Sequence, residues 1–192
     1  MPILGIIDSQ KSGHLWAPAP AYDSIATVTV GSGGSSSITF TSFPSTYTHL
    51  QIRGIARDNR SASGLATGGL QFNSDSTYTN YRGHILYGTG STAAAATSQP
   101  SNGTALAFST NGNSSTANSF AAAVIDILDY ANTSKYKTVR TLSGADNNDT
   151  TGEIDFVSGV WMSTAAITNI TLIPYGSNSF VQYSSFALYG VK

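Results

Sequence analysis

The sequence predicts an all-β protein, a jelly-roll-like antiparallel β-sandwich with an extended N-terminal arm. About ten short segments alternate apolar and polar residues or are rich in β-branched and aromatic residues. Turn-forming residues separate these segments roughly every 8–12 residues, a spacing typical of sandwiches and barrels. No segment shows the sustained 3.6-residue apolar period of a long helix.

Composition limits the classes of function. The chain has 192 residues, of which 40% are hydrophobic, enough for one sizeable core. Only 10% are charged and the net charge is -1, which disfavours binding to nucleic acid by phosphate neutralisation. The absence of Cys excludes disulfides and thiolate sites, and one Glu with three His leaves little material for acid-base or metal chemistry. We therefore expect a protein that is not an enzyme and has no cofactor or metal.

The first 22 residues differ from the rest and predict an extended arm, followed by a sandwich domain over residues 23–192. The Ala-Pro repeats of 17–20 cannot continue a helix and favour extended backbone. The apolar side chains of this arm form a candidate assembly anchor: Ile3, Leu4, Ile6, Ile7, Leu15 and Trp16. The alternative is a first edge strand followed by a loop.

The chain start lacks the basic region of a secretory signal, and no apolar run approaches the roughly 20 residues that span a bilayer. We therefore expect synthesis in a cytoplasm and no membrane insertion.

The first strands follow directly from the alternation. Residues 25–30 place alanine and valine on one face and threonine on the other, the glycines of 31–34 predict a turn, and 36–40 return as the partner strand. Residues 47–57 form the next strand. The apolar phase of that strand slips at Gly54, which predicts a β-bulge there.

The remaining segments continue the β pattern. Residues 120–130 are ambiguous because three alanines allow a helix, although Val, Ile and flanking aromatics favour a buried strand with a hairpin partner at 135–142. Further strands are predicted at 69–73, 82–88, 104–109, 154–162, 167–173 and 180–190. Long loops are predicted at 58–68, 89–103, 110–119 and 143–153, where such lengths are often functional.

Candidate catalytic and metal-binding groups are sparse. Asp126 and Asp129 are three residues apart, so on a strand they point to opposite faces and form no acid-base pair. Residues 146–153 carry oxygen ligands at alternate positions, but the glycine and glutamate positions of an EF-hand do not fit; the alternative is an Asx-rich turn. No local pair of metal ligands exists among the three histidines, which are His14, His49 and His84.

Two sets of residues are candidate contact sites. Four arginines could form a basic edge on a strand: Arg53, Arg57, Arg60 and Arg82. Such an edge would anchor an acidic or glycan partner. The alternative is that the charges protect an edge strand from pairing with another chain. Tyr78 and Tyr81 could stack on sugar rings of a host glycan, although aromatics are equally expected as strand residues.

Four stretches carry a resemblance to a known group of proteins. Residues 22–53, 126–130, 135–138 and the ending at 180–191 resemble small virion proteins of tailed bacteriophages, especially those of aquatic bacteria. The resemblance implies a structural, fibre or decoration protein of the virion, assembled in the host bacterial cytoplasm. It assigns a catalytic role to no residue of this sequence.

These observations lead to one main hypothesis and two alternatives. We expect a non-enzymatic virion protein on the particle exterior, most simply a capsid decoration or cement protein anchored by its arm to other virion proteins, and forming a homo-oligomer because repeated positions favour symmetric assembly. The first alternative is a tail-fibre or receptor-binding module that adsorbs to host glycans. The second is a glycan-cleaving enzyme, for which the sequence offers no acid-base pair.

Overall fold

The structure is a computed structural model, and it describes residues 21–61, 64–98, 105–147 and 152–192. In these residues the chain forms twelve β-strands and one 3-10 turn at Tyr78–Asn80, which confirms the all-β prediction. The strands are β1 (Tyr22–Thr29), β2 (Ile38–Thr41), β3 (His49–Ala56), β4 (Leu65–Phe72), β5 (Tyr81–Gly88), β6 (Ala93–Ser98), β7 (Ala105–Asn111), β8 (Ala121–Leu128), β9 (Lys137–Asp146), β10 (Gly152–Trp161), β11 (Asn169–Pro174) and β12 (Ser185–Val191). The predicted arm lies outside the described residues except for its last two.

The strands form two antiparallel sheets around one core, which confirms the predicted sandwich. The larger sheet has eight strands in the order β1-β12-β3-β8-β9-β10-β5-β6, and the smaller has four in the order β2-β11-β4-β7. Leu50, Ile125 and Leu188 enter the core from the larger sheet, while Leu70 and Ile170 enter from the smaller one. Within the described ranges, no helix has the length and apolar character needed to cross a membrane.

Two hairpins account for the unequal width of the sheets. β9 and β10 pair with each other beside β8, and β5 and β6 extend the same sheet beyond β10. Without them, each sheet has four strands, β1-β12-β3-β8 facing β2-β11-β4-β7. The smaller sheet ends at β7, which packs across β9 and β10.

The first strand and the turn after it follow the predicted pattern, but the predicted pairing of residues 36–40 with 25–30 is wrong. β1 pairs with β12 in the larger sheet and β2 pairs with β11 in the smaller one, so the turn carries the chain from one sheet to the other. In β1, Ala26 and Val28 point inward while Thr27 is exposed, and a bulge lies between Ser24 and Ala26. The predicted glycine turn is present, with Gly34 at a positive φ of 70° that favours glycine.

Gly54 does not form the predicted bulge. β3 pairs with β12 and with β8 in uninterrupted register, so Ile55 shares the outward face with Arg53 and is 46% exposed. Glycine is required here by packing, because a Cβ at this position would lie 2.3 Å from Cδ1 of buried Phe186. The bulge prediction is wrong because it assumes that an isoleucine in a strand must face the core.

The ambiguous segment 120–130 is a strand. Residues of β8 alternate between buried and exposed, and β8 pairs with β9 as the predicted hairpin. The predicted loops are less accurate, since β6 lies within 89–103 and the ends of β9 and β10 lie within 143–153. Alanine, serine and glycine have weak strand propensity, so pairing with a neighbouring strand determines these segments.

We expect Gly54→Ala to lower the free energy of unfolding by about 1–3 kcal/mol, because Phe186 must move within a packed core. Urea denaturation of both proteins measures the change. Gly31→Ala is the matched control, since no atom lies within 4 Å of a Cβ built there. Equal midpoints for the two variants would contradict this account of Gly54.

Candidate functional site

Large apolar side chains form a ridge on the outward face of the eight-stranded sheet, where a solvated sheet usually carries polar residues. The strand register places Val124 opposite Leu142, Leu142 opposite Phe156, and Phe156 opposite Leu86. Directly opposite residues in neighbouring strands are in contact distance. The four side chains are 38% to 56% exposed and cross β8, β9, β10 and β5 without interruption.

A row with smaller residues runs beside this ridge. The register places Ile55, Ala122, Gly144, Ile154 and Gly88 in sequence across the same sheet. Ala122, Gly144 and Gly88 have little or no side chain, and they form the floor of an open groove of about 740 Å³. The groove lies between the ridge and the ends of the strands. The ridge and this row together are termed the outer apolar face; its large members are Ile55, Leu86, Val124, Leu142, Ile154 and Phe156.

The row on the other side of the ridge is polar, and its groups bind one another. Gln51 Nε2 donates to Asp126 Oδ1 at 2.8 Å, and Arg140 Nη2 lies 3.4 Å from Asp126 Oδ2. Arg53 Nε donates to Gln51 Oε1 at 2.7 Å, and its guanidinium lies over the Tyr189 ring at 5.2 Å. The outer apolar face therefore borders polar groups that already have partners within the sheet.

A second feature is a buried arginine at one end of the sandwich. Arg57 is 8% exposed and donates from Nη1 to the carbonyls of Thr116, at 2.8 Å, and Ser119, at 3.1 Å. Its Nη2 donates to the carbonyls of Ser115, at 3.0 Å, and Asn113, at 3.4 Å. One cation thus organises the whole 113–119 connection, because a buried guanidinium needs several acceptors.

A third feature is a pair of carboxyl groups on the inward face of β10. Asp155 is buried and accepts a hydrogen bond from the Ser109 hydroxyl, while Ser109 N donates to Ser143 Oγ at 3.0 Å. Burial, together with the neighbouring Asp155 charge and a hydrogen bond to it, raises the pKa of Glu153 to about 7. The carboxyl group of Glu153 is therefore partly protonated at neutral pH.

Sequence reasoning missed this pair. The residues stand at alternate positions of one strand, which is the signal that two side chains share a face. The predicted strand begins at residue 154, so Glu153 was assigned to a loop. A paired carboxyl with a raised pKa is a feature of acid-base sites, but Asp155 is only 5% exposed and is bound to Ser109.

The structure does not bring the four predicted arginines together along one edge. Arg53 lies in β3, an interior strand of the larger sheet, and Arg82 lies in β5, four strands away. Arg57 is buried, and the Arg60 guanidinium stacks over the Tyr175 ring at 4.9 Å. Edge protection does not describe them either, because Arg53 and Arg57 have partners within the fold.

The two predicted glycan-contact tyrosines also separate. Tyr78 is 60% exposed in the 3-10 turn. Tyr81 is 1% exposed, accepts a hydrogen bond from Phe72 N and donates to the carbonyl of Asp75. It is a core residue and does not form a surface platform with Tyr78.

The other candidate groups fall at separate places. Asp129 pairs with Lys135 and lies near His49, whereas Asp126 binds Arg140, so the two aspartates have different partners. His84 is exposed on β5. Among the described residues, no three His, Asp or Glu side chains gather as a metal site. His14, residues 148–151 of the candidate calcium segment and the six anchor residues of the arm lie outside the described residues.

Comparison with known proteins adds no identification, because neither a protein-family model nor a curated protein matches the chain.

We expect Arg57→Met to lower the free energy of unfolding by at least about 2 kcal/mol, since the carbonyls of the 113–119 connection, that of buried Ser115 among them, lose their guanidinium donor. Arg82→Met is the control, because Arg82 is exposed and donates to the nearby carbonyls of Thr79 and Tyr81. Surface changes of this kind usually stay within about 0.5 kcal/mol. Chemical denaturation compares the two variants, and equal losses would contradict the assigned role of Arg57.

We expect the thermal midpoint to fall as pH rises from 5 to 8. The pKa of Glu153 is raised to about 7 in the fold, so its stabilising effect is complete below its ordinary pKa of 4.5 and is lost as pH rises through 7. The pKa values of Asp23, Asp75 and Asp129 are lowered from 3.8, so their contributions change only at more acidic pH.

Glu153→Gln should flatten this pH dependence and raise the midpoint at pH 8 relative to the unaltered protein. His84→Gln, which removes an exposed imidazole, should leave the dependence in place. Scanning calorimetry at several pH values measures all three proteins. A pH profile unaffected by Glu153→Gln would show that another group is responsible.

Proposed function

We propose that this protein is a non-enzymatic structural protein of a bacteriophage particle, carried on the particle exterior as a capsid decoration protein. The outer apolar face is the observation that carries the proposal. A fully exposed large apolar residue presents roughly 200 Å², so six residues that are about half exposed present on the order of 600 Å². The largest apolar patch on a typical monomer is about 300–600 Å² and is often functional, so a patch at the upper end of this range supports a contact with another macromolecule.

The strand order supports a virion role. We propose that the fold is a jelly roll widened by the β5–β6 and β9–β10 hairpins. Its support is the order β1-β12-β3-β8 in one sheet and β2-β11-β4-β7 in the other, with the chain passing between the sheets as two Greek keys do. Jelly rolls are frequent in viral capsid and lectin domains, and here this analogy adds to the argument from the surface.

The amino-acid sequence supports the proposed kind of particle and the proposed anchor. The resemblance of residues 22–53 and 180–191 to small phage virion proteins indicates the kind of particle. The apolar residues of the arm are suited to anchoring on another virion protein, because a segment that becomes ordered on binding can cover a large surface. The particle would be assembled in the host bacterial cytoplasm.

The alternative function is a glycan-binding module of a tail fibre. Tyr78 supports it, since its ring is available for stacking on a sugar. The burial of Tyr81 weakens it by removing the second ring of the expected platform. Binding of the isolated protein to a glycan array would favour this alternative over decoration.

Deletion of residues 1–20 tests the anchoring. The deletion keeps β1 complete, including Tyr22, whose ring packs under the Arg53 guanidinium at 5.3 Å. We expect the truncated protein to keep its thermal midpoint and to lose most of its occupancy on purified phage particles, measured by quantitative mass spectrometry. A control with Ile3, Leu4, Ile6 and Ile7 changed to Ser should show the same loss. Unchanged occupancy of both variants would reject the anchoring role, and absence of the full-length protein from particles would reject the proposed function.

A further inference from the structure

We propose that the outer apolar face binds the same face of a second copy of this chain, so that two eight-stranded sheets stack about a two-fold axis. This deepens the proposed function by naming the partner of the face. The contact is isologous, because each copy offers the same surface to the other.

The shape of the outer apolar face favours stacking on its own copy. The ridge of Val124, Leu142, Phe156 and Leu86 stands directly beside the groove whose floor includes Gly144. A two-fold rotation about an axis between these rows places the ridge of each copy over the groove of the other. Packed sheets interdigitate their facing side chains in this way at a separation of about 10 Å.

The exposed area of the face is close to what a dimer interface requires. The large side chains of the face expose on the order of 600 Å² of mostly apolar surface. A stable interface buries about 800 Å² on each partner, with an apolar centre and a polar rim. The polar row that contains Arg140, Ser158 and His84 lies beside the ridge on the same sheet and would add the polar rim of such an interface. An extended peptide, by contrast, would cover only one of the two rows.

The low charge of the face also favours a second copy of this chain. No member of the ridge or of the neighbouring row is charged, and Arg53, which continues the ridge row on β3 opposite Val124, donates to Gln51. Asp126 in the polar rim is paired with Arg140, and Asp146 lies at the rim of the groove. The chain carries a net charge of -1, so two copies repel each other only weakly at moderate salt. A surface of this kind offers little to a nucleic acid or an anionic lipid, whereas it complements another uncharged apolar surface such as its own copy.

The mass of the full-length protein in solution tests the proposal. Light scattering at micromolar concentration should give twice the chain mass of 20.0 kDa. Leu142→Lys places a charge at the centre of the contact and should raise the dissociation constant of the dimer at least about 100-fold. Tyr78→Lys is the matched control, since it replaces an exposed apolar residue outside the face with the same charge and should leave the dimer intact. Thermal midpoints close to that of the unaltered protein establish that both variants are folded.

A cysteine substitution locates the contact independently of stability. The natural chain has no Cys, so Leu142→Cys introduces a single thiol that a short bis-maleimide should join to the same residue of the partner. Tyr78→Cys should not give this cross-link.

Other results of the mass measurement would overturn the proposed dimer. A monomer both with and without residues 1–20 would overturn it, as would a dimer that survives Leu142→Lys. A monomer that dimerises only after deletion of residues 1–20 would show that the arm occupies the face, which also overturns it. A monomer found on phage particles would leave the proposed function standing, whereas a dimer absent from particles would reject that function and leave this interface standing.

Discussion

The antiparallel register that runs without a break from β12 to β6 across the eight-stranded sheet is the constraint on which the rest of this structure depends. Because side chains alternate across a strand, the register that buries Leu50, Ile52 and Ile125 also determines every outward position on the same strands. A shift of one residue would exchange the two faces. Ile55, Val124 and Leu142 are therefore exposed as a consequence of how the core is filled, and they lie side by side because the strands are in register.

Several of the few charged residues lie in the interior and hold neighbouring segments in place. Arg57 holds a connecting loop through carbonyl acceptors, and Lys137, which is fully buried, donates from Nζ to the carbonyls of Lys135 and Thr164 at 3.0 and 3.2 Å. Burial lowers the pKa of Lys137. Asp155 likewise lies inside, with its carboxylate bound to Ser109. With these groups withdrawn from solvent, the outer surface is left poor in charge.

A surface poor in charge is suited to binding another macromolecule through complementary shape. The outer apolar face combines a ridge, a groove and a polar rim on a rigid sheet, so its binding loses little conformational entropy. The proposed attachment by the N-terminal residues and the proposed pairing of sheets use separate parts of the chain, and one particle could therefore use both.

The sequence alone determined the class of the fold and the position of most strands. The strands at 25–30 and 120–130 were predicted from the alternation of apolar residues, and the first turn was predicted from its glycines. Both signals are local in the sequence, and the structure has strands and a turn at these places. It also indicated that Asp126 and Asp129 would not act together. β6 and the ends of β9 and β10 were missed because alanine, serine and glycine are compatible with a strand only when a neighbouring strand supplies the hydrogen bonds.

Only the tertiary structure decided which residues form the surface and which form the core. Gly54 was assigned to a bulge although it gives room to Phe186, Arg57 was expected at an edge although loop carbonyls enclose it, and Tyr81 was expected outside although it lies beside Phe72. The outer apolar face joins residues of β3, β5, β8, β9 and β10 that are distant along the chain. Periodicity in one strand states that its two faces differ, but the strand order and register determine which side chains meet across the sheet.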